Sequence, residues 1–125
     1  MTTFSATSGY YAGVGSDATD AAAVRYTASN YTYNVAQAIR LDTTYRPVIY
    51  CVGLNWDPAA FPSEEPLDAD LLATLANDPS YTSAGKPSGV YQAGQTDGKY
   101  YNVTYSGLGA ALSDIAGQIL RLSAH

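Results

Sequence analysis

The chain has 125 residues, 46% of them hydrophobic and 14% charged, which suits one folded domain with its own core and argues against disorder. Eleven acidic residues against six basic ones leave a net charge of −5, too few cations for a nucleic-acid surface or for docking on an anionic membrane. A single cysteine excludes an intrachain disulfide framework and a cysteine-only zinc site.

Residues 1–16 are rich in Ser, Thr, Gly and Tyr and read as an N-terminal arm or an edge strand. They show neither a basic n-region nor an apolar h-region, so no signal peptide is expected. No run reaches the length of a membrane span, and no membrane insertion by this chain is expected. A helix is predicted over about 17–42. Val24, Ala28, Tyr31, Val35, Ala38 and Ile39 recur there at three- and four-residue steps and make one apolar face. Ser16 or Thr19 can cap its start, and Arg40 suits the negative end of its dipole. The stretch 26–33 has weak intrinsic helix propensity, so this helix should depend on tertiary packing.

Residues 47–54, Pro-Val-Ile-Tyr-Cys-Val-Gly-Leu, carry no charge, and their β-branched residues do not alternate with polar ones. Such a run predicts a strand buried on both faces, as in parallel sheets covered by helices. Cys51 within it reads as a small hydrophobe rather than a reactive thiol. A proline-rich loop follows over 55–66. A short helix is then predicted, with Leu67, Leu71, Leu72 and Leu75 on one side, Asp68 as its cap and Asn77-Asp78-Pro79 as its stop. Residues 79–99 are loop-rich, with a short strand at 89–93 and a turn at Thr96-Asp97-Gly98. Lys99 to Tyr105 alternates and reads as a second strand. Ser106 then caps a final helix striped by Leu108, Ala111, Leu112, Ile115, Ile119 and Leu122.

The order helix, strand, helix, strand, helix is that of the second half of a doubly wound α/β sheet. Ala36-Gln-Ala-Ile-Arg40, Arg46 to Leu54, Asp70 to Pro79, Gly89-Val-Tyr91 and Leu108 to Ser123 occur in a sequence that resembles the C-terminal part of a von Willebrand factor A domain. The resemblance is to the kind found in TadG-like pilus assembly proteins of bacterial tight-adherence systems. It implies a partial Rossmann-like sheet over residues 17–123. It further implies a role in pilus biogenesis and cell adhesion at the cell envelope or periplasm, with pilus or envelope proteins as partners. That family's metal site uses an Asp-x-Ser-x-Ser loop this chain does not contain, so no metal ligand is carried over.

The residues themselves offer little chemistry. The one histidine is the last residue, His125, which leaves no ready base for a serine or cysteine nucleophile. The acids at 57, 64, 65, 68 and 70 match no calcium-loop spacing. No catalytic residue, metal ligand or cofactor is therefore assigned, and the chain reads as a non-enzymatic protein-binding module. Tyr10, Tyr11, Trp56, Tyr100 and Tyr101 are the candidate protein contacts, because tyrosine and tryptophan are enriched at interfaces. A half-sheet of this kind should leave one strand edge bare unless residues 2–12 or a second copy, in a homodimer, complete it. Two alternatives stand beside this reading: a small α/β enzyme with a site near Cys51, Trp56 and Asp57, and a truncated fragment without independent function.

Overall fold

The computed structural model describes residues 21–55, 67–82 and 91–124. Their elements follow the predicted order: α1 (Ala21–Arg40), β1 (Tyr50–Leu54), α2 (Ala69–Ala76), β2 (Lys99–Val103) and α3 (Leu108–Ser123). The N-terminal arm, the first residues of the predicted first helix and the loop 56–66 lie outside the described residues. The fold is mixed α/β, and the described residues form three α-helices and a two-stranded parallel sheet.

Cys51 pairs in register with Tyr100, and Val52 with Tyr101. Successive side chains on a strand point to opposite faces. Tyr100 and Cys51 accordingly pack with Ala69, Leu72, Ala73 and Ala76 of α2. Tyr101 turns the other way, and its hydroxyl donates to Asp114 of α3 at 2.6 Å. The two helices therefore cover opposite faces of the sheet, in three layers. α1 packs against α2. β1 is shorter than the 47–54 run, and its side chains are half-buried rather than buried on both faces. Among the described residues the sheet has these two strands, about 5 Å apart.

α2 is short, and its ends hold it. Asp68 caps it as predicted, accepting the Leu71 N–H at 2.9 Å. Asn77 ends it in a left-handed conformation at φ 56°, its N–H returned to the Ala73 and Thr74 carbonyls. The Asn77 side chain is fully buried and sews on the 91–98 segment. Its oxygen accepts the Gln92 N–H at 2.7 Å, and its amide donates to the Gln92 and Thr96 carbonyls at 3.1 and 3.3 Å. Asp78 does the same for β2. Its carboxylate accepts from the Ser80 N–H and hydroxyl at 2.8 and 2.6 Å and from the Tyr100 N–H at 2.9 Å.

Gly98 corrects the reading of Thr96-Asp97-Gly98 as a turn. The turn lies earlier, at 93–95, where Gly94 has φ +92°. Gly98 is instead a close approach: a Cβ there would run into the Ile49 and Ala76 carbonyl oxygens. Three other expectations are also corrected. Tyr91 to Ala93 forms no strand. The second strand stops at Val103, because a 3₁₀ turn over Tyr105–Gly107 leads into α3. Ser106 lies inside that turn, within 3.1 Å of the Thr104 hydroxyl, and does not cap the helix.

Candidate protein-binding surface

α1 holds its helix despite its β-branched and aromatic composition by docking. The Ser29 and Thr32 hydroxyls donate to the Arg25 and Ala28 carbonyls at 3.0 and 2.9 Å, which satisfies them within the helix without adding to its stability. Ala23, Asn30, Ala36 and Arg40 are buried, with Tyr26, Tyr33 and Gln37 half-buried beside them. At about 100° per residue these positions share one side of the helix.

The predicted apolar face lies on the opposite side, and it faces out. Val24 is 51% exposed, Val35 40% and Ile39 42%; Ala28, Tyr31 and Ala38 are exposed with them. The apolar face read from the spacing is therefore real as a face, but it is turned away from this chain's core. The reason is Arg40, whose guanidinium donates through Nη1 to the Thr74 and Leu75 carbonyls at 2.9 and 2.5 Å. These are carbonyls from the last turn of α2, which carries the negative end of that helix. By anchoring α1 to the end of α2, Arg40 turns its own side of the helix inward and the apolar side outward. Residues 24, 28, 31, 35 and 38 follow a strict four-three spacing, the seam that one helix presents to another.

α3 repeats the pattern on a smaller scale. Ala111 is buried and Leu108, Asp114, Ile115 and Gln118 are half-buried over the sheet, while Leu112, Ile119 and Leu122 of the predicted stripe stay exposed.

The sheet edges differ as well. The Ile49 carbonyl accepts the Lys99 N–H at 3.3 Å and the Asn55 N–H reaches the Val103 carbonyl at 2.8 Å, so the odd residues of β1 face β2. Tyr50, Val52 and Leu54 consequently aim their backbone groups away from it. Among the described residues only β2 pairs with β1. The outer edge of β2 is different, because the Asp78 carboxylate occupies the Tyr100 N–H there. Among the described residues, one edge is blocked by a charge and the other has no strand beside it.

Of the aromatic contacts expected from sequence, Tyr10, Tyr11 and Trp56 lie outside the described residues. Tyr100 is only 8% exposed and belongs to the core, where Tyr81 meets it edge-on at 5.7 Å, so it offers no surface to a partner. Tyr101 is half-buried and engaged within the chain. Its hydroxyl holds Asp114, the Lys99 ammonium lies 4.7 Å over its ring, and burial together with Asp114 pushes its pKa up to about 12. Their alternation placed them on two covered faces. Tyr45 and Tyr105 are the strongly exposed tyrosines of the described residues, each at 84%.

Cys51 is half-buried, and burial raises its thiol pKa although the nearby Arg40 charge pulls the other way. A thiol so placed stays protonated near neutral pH and is a poor nucleophile. Asp57 and Trp56, its companions in the enzyme alternative, lie outside the described residues. Asp97 of the Thr96-Asp97-Gly98 run accepts a hydrogen bond from the Tyr91 hydroxyl. Among the described residues no three His, Cys, Asp or Glu side chains group as a metal site would require, and no helix is long and apolar enough to cross a membrane. No protein-family model, no curated protein and no solved structure matches this chain.

Proposed function

We propose that this chain is a non-enzymatic protein-binding module of bacterial pilus assembly, working at the cell envelope as the C-terminal half of a von Willebrand A domain of the TadG-like kind. The order of elements and the parallel pairing of β1 with β2 support the half-domain part of this reading. The outward apolar seam of α1 carries the binding part. A contiguous row of exposed aliphatic side chains on a 20-residue helix is costly in water and marks an interaction surface. Its four-three spacing fits a helix, which identifies the partner as a protein offering an amphipathic helix. The β1 edge, which no strand of the described residues covers, gives a second means of attachment, by strand addition.

The test is complementation in the organism that encodes the chain. Val35→Glu combined with Ile39→Glu places two charges on the seam at exposed positions. Substitutions of that kind change stability by only about 0.5 kcal/mol each. Cells carrying this variant as their only copy should lose surface pili, counted by electron microscopy, while the purified variant keeps the circular dichroism of the parent. Pilus numbers equal to the parent's would overturn the proposal.

A further inference from the structure

We propose that the cleft between the C-terminal end of α1 and the 94–96 turn binds a small oxyanion, a carboxylate or phosphate group, with Arg46 as the contacting fork and Arg40 as a fixed charge behind it. The cleft has a volume of about 350 Å³ and is lined by Arg40, Asp42, Thr43, Arg46 and Gln95 among others. The inference does not depend on the assembly reading.

Arg40 is 2% exposed, and a buried guanidinium is rare unless an acid pairs with it. Every acceptor around it is neutral: the Thr74 and Leu75 carbonyls on Nη1, and the Gln95 side-chain oxygen at 2.9 Å from Nε. The carbonyls offset part of the charge, since they end α2. Nη2 has no partner at all. This occurs in a chain with eleven acids and six bases, where an acidic partner would be easy to supply.

Arg46 repeats the anomaly at the cleft's mouth. It is exposed, no carboxylate among the described residues bonds it, and its backbone sits at φ 47°, a left-handed conformation that costs a non-glycine residue free energy. The Arg46 N–H, bonded to the Asp42 carbonyl at 3.2 Å, fixes that turn. The remaining wall is rich in donors. Gln95 has its oxygen turned to Arg40, which leaves its amide N–H groups for another acceptor. Thr43 adds a hydroxyl. Asp42 is the opposing charge, but its Oδ1 is held by the Thr44 and Tyr45 N–H groups at 2.8 and 3.0 Å. Two cations and one engaged acid leave a net positive, donor-lined cleft. A ligand that only accepts hydrogen bonds matches it, and a planar guanidinium grips such a ligand with two parallel bonds.

The test is calorimetric titration and thermal melting of the whole chain with inorganic phosphate and with succinate, against sodium chloride at matched ionic strength. Kosmotropic anions stabilise proteins in general, but without saturating. Saturable binding of one or both anions is expected, and Arg46→Gln should weaken it about tenfold or more while leaving the anion-free melting midpoint unchanged. Saturation by phosphate alone assigns a phosphate-bearing ligand, and by succinate alone a carboxylate-bearing one; both outcomes support the site. Absence of saturable binding for either anion, or equal affinity in Arg46→Gln, would overturn it.

Discussion

Replacing Asn77 with alanine is expected to lower the unfolding free energy by about 3–4 kcal/mol, from the summed loss of buried hydrogen bonds and a strained backbone. Asn77 is fully buried, and its side chain is the joint between the end of α2 and the 91–98 segment. Its removal leaves the Gln92 N–H without an acceptor and weakens the Gln92 and Thr96 carbonyls in the same stroke. Alanine also has to hold φ 56°, which asparagine tolerates and alanine does not. Asn77→Gly separates the two effects, since glycine accepts the left-handed turn but makes none of the bonds. Urea unfolding should therefore rank the parent first, Asn77→Gly second and Asn77→Ala last, with about 1 kcal/mol between the two variants. Equal stability of the parent and Asn77→Gly would show that the side-chain bonds contribute nothing.

Asp78→Ala is expected to cost about 3 kcal/mol, because an ionised acceptor serving two backbone N–H groups and a hydroxyl disappears from a buried site. The Tyr100 N–H is then orphaned on the outer edge of β2. The same carboxylate gives stability a pH dependence. Burial alone would raise its pKa, but the bonds from Ser80 and the Tyr100 N–H, with the Lys99 charge, hold it below the ordinary carboxylate value. A depressed folded-state pKa means that the unfolded chain takes up a proton first as pH falls. The Asp78 contribution is thus fully present above the unfolded value near 3.9 and drains away as pH drops through the folded one. The stability difference between the parent and Asp78→Ala should be constant from about pH 5 upward and shrink below about pH 4. A difference unchanged at low pH would contradict this role.

Local chemistry was the legible part of the sequence. Asp68 and Asn77 start and stop α2 through bonds to residues three or four positions away, and such bonds are written in the local pattern. The element order followed from the same kind of signal. What the pattern could not carry was direction. Val24, Val35 and Ile39 announce an apolar face, but periodicity says nothing about whether that face meets this chain or another one. The deciding residue was Arg40, which read as a cation at the end of its own helix and serves the carbonyls of a different one, 34 and 35 positions away. Gly98 misled for a similar reason. Asp-Gly is a turn signal in sequence, yet here glycine is required by two carbonyl oxygens from β1's entry and α2. Tyr100 and Tyr101 alternate as strand residues should, and only the second helix layer explains why neither is left for a partner. The cleft of Arg40 and Arg46 was invisible for the same cause, since Gln95 reaches it from 55 positions away.

The central claim is that the seam of α1 is an interaction surface, and light scattering across a range of concentrations tests it most directly. In isolation, with no other partner, the seam should bring copies of the chain together. The parent is then expected to exceed its monomer mass of 13.2 kDa as concentration rises. The double variant Val35→Glu with Ile39→Glu should remain at the monomer mass, with unchanged circular dichroism. A parent chain that stays a folded monomer at every concentration would contradict the account.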